Sequence, residues 1–144
     1  MPDDLRRCIL VGMGGVSRIM LKALVRRPWY QTAAVVDVRE EALGEAAEML
    51  SLPEGHLYKD LSAALSNCRA DLAIINTPSE LHYEQTRASL EAGLDVLVAK
   101  PFTNNFEQAV ELILPALSVG LDQFEHRHDV LLDAETTKDR GLLR

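Results

Sequence analysis

Short apolar runs alternate along this chain with segments of helical spacing, and that alternation limits the folds open to it. The runs are 8–11 (CILV), 33–38 (AAVVDV), 56–58 (HLY), 72–78 (LAIINTP) and 95–101 (DVLVAKP). The intervening segments carry apolar residues at i, i+3, i+4 and i+7. These are Val16, Ile19, Met20, Ala23 and Leu24, then Leu43, Ala46, Ala47 and Leu50, then Leu61, Ala64, Leu65 and Cys68. Each set is one face of an amphipathic helix. The short apolar runs suit strands buried on both faces. Strands and helices in alternation build βαβ units, so the expected fold is α/β: a doubly wound parallel sheet in three layers.

Punctuation residues set the expected boundaries. Arg26 and Arg27 are predicted in the last turn of the first helix, which Pro28 ends. Asp60, Ser79 and Asn105 are expected helix caps, and Gly93 closes the fourth helix. A fifth helix is expected from Phe106, Val110, Ile113, Leu114 and Leu117, with Pro115 kinking or shortening it. The expected domain spans 1–120. Residues 121–144 mix charges densely; they would add a sixth strand around 123–128 and a last helix, or fray.

Composition excludes several classes. No apolar run lasts beyond four or five residues, far short of a membrane span, and the start, MPDDLRRC, has no secretory core. Two cysteines, Cys8 and Cys68, give neither a disulfide framework nor metal-ligand spacing, which points to the cytoplasm. His126 and His128 alternate in the tail without a third ligand, so no metal is expected. A net charge of −7 argues against nucleic acid or an anionic membrane as partner.

Between the first run and the first helix stand Gly12, Gly14 and Gly15. Gly12-x-Gly14-x-x-Ser17 meets two positions of the dinucleotide fingerprint, with Ser at the third. Gly12 permits the tight turn and Gly14 the close approach of a pyrophosphate. The helix mouth at Gly15 and Val16 offers free N–H groups to the anion. Ser17 should allow close helix–strand packing, and its hydroxyl is a further candidate phosphate contact. Asp37 follows 20 positions after Ser17, where an acid hydrogen-bonds the adenosine ribose. Such an acid repels a ribose phosphate and favours NAD; Arg39, by pairing with that phosphate, keeps NADP as the alternative.

Farther on, Thr77-Pro78, His82, Ala92-Gly93 and Ala99-Lys100-Pro101 follow in order. Together with the glycine loop, this resembles the N-terminal half of the Gfo/Idh/MocA oxidoreductases, over about residues 5–118. The resemblance implies an enzyme of two domains that moves hydride between a nicotinamide and a sugar or polyol. It implies that Asn76, Thr77 and Pro78 line the cofactor, with His82 nearby. Lys100, followed by Pro101, would face nicotinamide and substrate; His82 and Lys100 are the candidate catalytic residues.

Two departures stand out. The family's Glu-Lys-Pro reads Ala99-Lys100-Pro101, so the Lys lacks its acidic neighbour, and nothing after Gly120 resembles the family's antiparallel substrate domain. The expectation is therefore a cofactor domain that is incomplete for catalysis alone and needs a second domain or subunit to take a sugar or polyol. A non-enzymatic dinucleotide module, serving as redox sensor or subunit, is the alternative; a CoA-binding or other nucleotide-binding Rossmann protein is a third. Apolar surface left uncovered by a missing domain leads to an expected homodimer or higher oligomer.

Overall fold

The computed structural model describes residues 5–119. Five strands, β1 (Arg6–Val11), β2 (Tyr30–Val36), β3 (Leu57–Tyr58), β4 (Leu72–Ile75) and β5 (Asp95–Val98), form one sheet in the order β3-β2-β1-β4-β5. Every pairing is parallel. The order reverses between β1 and β4, and open α/β sheets bind ligands in the crevice at such a switch point.

Helices cover both faces, as the alternation predicts. On one face α1 (Gly15–Leu24) and α2 (Glu40–Leu50) bury Leu21, Ala42, Leu43 and Ala46 against Cys8, Leu10, Val35 and Ile74. On the other, α3 (Leu61–Asn67) sets Leu61 and Ala64 against Ile9, Val11, Ala73 and Ile75. Ala88 and Leu90 of α4 (His82–Glu91) join the same cluster. Neighbouring residues of one strand thus feed opposite cores, which is why the strands are apolar without alternation. The fifth helix, α5 (Phe106–Val119), packs on α4.

Several boundaries and faces differ from expectation. The strand runs ending at 38, 78 and 101 stop at Val36, Ile75 and Val98; the residues beyond them leave the sheet as loops. The first helix ends at Leu24, before Arg26 and Arg27, so Lys22 is the basic residue of its last turn. Its buried residues are Ser17 and Leu21, while Val16 and Ile19 are 66% and 75% exposed. The apolar stripe of α1 is therefore wider than the part its own sheet covers.

Asp60 caps α3 by accepting from the Ala63 amide (2.8 Å), and Asn105 caps α5 through the Gln108 amide (2.8 Å). Ser79 caps nothing; it opens a 3₁₀ turn, Ser79–Leu81, that leads into α4. Gly93 closes α4 at φ +82°, and α5 runs through Pro115 instead of ending there. Ala33 is an extra residue in β2, between Thr32 opposite Cys8 and Ala34 opposite Ile9. Its carbonyl is taken by His56 Nδ1 at 2.6 Å. The sixth strand, the last helix, His126 and His128 lie outside the described residues.

Candidate functional site

The glycine turn leaves β1 at its carboxyl end, and Gly12 has the left-handed φ of +87° that a side chain resists. Its amide donates to the Val36 carbonyl at 2.8 Å, which closes the turn against β2. On its other side it sits against the loop after β4. A Cβ at Gly12 would lie 2.9 Å from both the Asn76 carbonyl oxygen and Thr77 Cγ2. Gly12 therefore packs the first half of the sheet against the second.

Gly14 and Gly15 differ. A Cβ at either meets nothing within 4 Å, so their lack of side chains leaves open space at the mouth of α1. The cap residue Gly14 is extended, makes no side-chain cap, and no acid stands in the first turn. The first-turn amides are thus left without intrahelical acceptors, and the positive end of the helix is not neutralised. An open cradle of uncapped amides suits the diphosphate of a dinucleotide. Ser17 faces the other way: it is buried, and its hydroxyl donates to the Gly12 carbonyl. The hydroxyl braces the turn from beneath, which corrects the expectation that it reaches a phosphate.

Asp37 follows β2 beside this mouth and is 7% exposed. Its Oδ2 accepts from the Met13 amide (2.8 Å) and Arg39 Nη2 (3.1 Å). Its Oδ1 accepts from the Arg39 amide (2.9 Å) and Nε (3.1 Å). Burial pushes the carboxyl up, but the hydrogen bonds from Arg39 and Met13 outweigh it and hold it below the usual carboxylate range. Arg39 also reaches the Met13 carbonyl (3.4 Å), and its side chain is 57% exposed. Met13 escaped the sequence reading. It marks no motif, yet its main chain ties the glycine turn to Asp37 and Arg39.

Across the switch point, the Asn76 amide donates to the Val11 carbonyl at 2.8 Å, so the loop after β4 starts level with the glycine turn. Thr77 Oγ1 donates to Gln85 Oε1 on α4, and Pro78 is exposed. Lys100 and Pro101 are exposed just beyond β5, joined by a cis peptide bond. Among the described residues no carboxylate pairs with Lys100. His82 is only 1% exposed. Its Nδ1 lies 2.7 Å from the Pro101 carbonyl oxygen and its Nε2 2.8 Å from that of Thr77. The structure thus gathers the glycine turn, Asp37, Arg39, Asn76, Thr77, Pro78, Lys100 and Pro101 at the carboxyl edge of the sheet. His82 it sets beneath that edge, with each ring nitrogen facing a main-chain carbonyl oxygen.

A family model described as an oxidoreductase family with an NAD-binding Rossmann fold matches residues 6–121. The chain belongs to this family. It is 33% identical over 149 residues to an uncharacterized oxidoreductase of Escherichia coli strain K12, YdgJ, covering 99% of this chain and 40% of that relative. Over 83 residues it is 30% identical to scyllo-inositol 2-dehydrogenase (NADP(+)) of Bacillus subtilis strain 168, covering 58% of this chain and 22% of the relative. Among solved structures it matches the WlbA dehydrogenase from Bordetella pertussis in complex with NADH and UDP-GlcNAcA. There the TM-score is 0.74 at 26% identity, over 83% of this chain and 34% of that one.

Residues 6–121 accordingly match the family's NAD-binding domain, and the chain spans two-fifths or less of the length of these relatives. Asp37, the glycine turn, residues 76–78 and Lys100 follow the carboxyl ends of β2, β1, β4 and β5 respectively. Among the described residues no helix is long and apolar enough to cross a membrane, and no cluster of His, Cys, Asp or Glu could hold a metal ion.

Proposed function

We propose that residues 1–120 are the cofactor domain of a sugar or polyol oxidoreductase, complete for binding the dinucleotide and incomplete for turnover alone. The observation that carries this is the open, uncapped mouth of α1 at Gly14 and Gly15, with the Asp37 carboxylate fixed beside it by the Met13 amide. In this reading the amides of Gly14, Gly15, Val16 and Ser17 hold the diphosphate, and Gly12 shapes their turn. Asp37 meets the adenosine ribose, and Asn76, Thr77 and Pro78 line the nicotinamide side. When bound, the nicotinamide supplies the hydride chemistry. Lys100 donates a hydrogen bond or a proton to the substrate oxygen, and Pro101 sets the end of its loop. The polyol class rests on the inositol dehydrogenase among the relatives.

Asp37 and Arg39 together govern the choice of cofactor. The carboxylate already takes four donors, three of them from Arg39, so ribose hydroxyls reach it only once the guanidinium swings away. A 2′-phosphate would draw the guanidinium off the acid instead. NAD remains the favoured cofactor because the acid repels that phosphate, with NADP the alternative. Calorimetric titration with NAD, NADH, NADP and CoA tests the reading: micromolar binding of the nicotinamide dinucleotides and none of CoA is expected. Absence of any nicotinamide dinucleotide binding would remove it.

A second reading, a binding module without chemistry, is favoured by one observation: exposed Lys100 has no carboxylate partner among the described residues. A search of polyols for NADH formation, with the chain alone and with a candidate second subunit, separates the two. The free thiols of Cys8 and Cys68 support assignment to the cytoplasm. Exposed Val16 and Ile19 support self-association as a homodimer or higher oligomer.

A further inference from the structure

His82 is a buried polar side chain that the proposed chemistry leaves without a task. It opens α4, is 1% exposed, and no carboxylate pairs with it among the described residues. Its two hydrogen-bond partners belong to different loops: the Thr77 carbonyl lies after β4 and the Pro101 carbonyl after β5. Carbonyl oxygens only accept. The ring N–H donates to one of these carbonyls, and the ring, carried by the first residue of α4, stands between both loops.

We infer that His82 is a positioning residue that clips the β4 and β5 loops together beneath the nicotinamide end of the crevice and thereby sets where Lys100 stands. Lys100 immediately precedes Pro101, so fixing the Pro101 carbonyl fixes the main chain that carries the lysine. The other end of the clip is anchored twice more. Thr77 Oγ1 donates to Gln85 on α4, and Gly12 presses on Asn76 and Thr77 too closely to admit a Cβ. A continuous line of contact thus runs from the glycine turn through Thr77 and His82 to Pro101. Because the strand order reverses between β1 and β4, Asp37 lies on the adenosine side of that line and the clipped loops on the nicotinamide side.

The inference rests on the dinucleotide reading, and one titration series separates the two. Wild-type, His82→Phe and His82→Gln chains are titrated with NADH and with ADP-ribose, which lacks the nicotinamide riboside. The clip predicts that His82→Phe weakens NADH at least 10-fold and ADP-ribose less than 2-fold. His82→Gln, which keeps an N–H donor, recovers part of the loss. A buried residue that only fills space would move both ligands alike, so equal losses, or no loss for NADH, overturn the clip. Wild-type chain that binds neither ligand overturns the dinucleotide reading itself. Should His82→Phe and His82→Gln not fold, hydrogen exchange of the wild-type chain decides. Joint protection of residues 76–82 and 100–106 by NADH, and not by ADP-ribose, supports the clip; protection of one loop without the other refutes it.

Discussion

Around Asp37 two carboxylate oxygens meet four N–H donors, and three of these come from a residue two positions away. Removing Arg39 should therefore act on the two cofactors in opposite directions. Arg39→Ala is expected to tighten NAD about 3-fold, roughly 0.6 kcal/mol, and to weaken NADP about 10-fold, roughly 1.4 kcal/mol. Titration of both cofactors against the variant reads this out, and a parallel change in both would refute it. Thr86 poses a different residue-scale problem. It is buried on α4, and its hydroxyl is the one buried side-chain polar atom among the described residues without a partner. Val has nearly the same shape and no polar atom to strand. Thr86→Val should raise stability by about 1 kcal/mol, seen as a higher urea midpoint with unchanged slope. The Ser17–Asp37 spacing was readable before the fold, because it is fixed by one strand-helix-strand unit. Arg39's grip on Asp37, the tie to Met13 and the clip of His82 were not, since main-chain partners leave no mark in residue type.

The elements divide the labour between the two edges of the sheet. At the edge opposite the site, Arg7 of β1 grips Asp71 ahead of β4 through its amide and guanidinium, at 2.8 to 3.1 Å. The Arg7 side-chain hydrogen bonds hold the Asp71 carboxyl below its usual range against an opposing effect of burial, and Asp37 is lowered likewise. A depressed carboxyl stabilises the fold above its unfolded pKa and loses that contribution as pH falls through the folded value. Urea midpoints should accordingly drop below about pH 4, and Asp71→Asn should flatten part of that fall. At the site edge the glycines are separable. Gly12→Ala puts a Cβ against Asn76 and Thr77 at a left-handed φ and should cost about 2–3 kcal/mol. Gly14→Ala meets open space, so it should leave the urea midpoint nearly unchanged while lowering dinucleotide affinity about 10-fold. Helical spacing located α1, α2, α3 and α5, punctuation residues located α4, and apolar runs located the five strands, while the 3₁₀ turns Glu54–His56 and Ser79–Leu81 left no such mark. The runs overran three strands, at 38, 78 and 101, by taking in residues 37–38, 76–78 and 99–101, which follow the apolar stretches directly but leave the sheet as loops.

Across the whole molecule, α1 presents an apolar stripe that its own sheet does not cover. Val16, Ile19 and Ala23 face outward while Leu21 and Ser17 face in. The sequence showed that stripe as apolar but not which part faces the sheet, since periodicity fixes a face and not its partner. Relatives at least twice as long are built on the same domain. Light scattering at rising concentration should show self-association, and Ile19→Glu should shift the chain toward monomer without weakening cofactor binding more than about 2-fold. Gly12 carries a consequence for the history of such chains. What a side chain there would strike includes the carbonyl oxygen of Asn76, which no substitution at position 76 can remove. Position 12 is thereby closed to drift whatever happens at its neighbours, and comparison of orthologues should find glycine there even where Asp37, Arg39 and Lys100 have been exchanged.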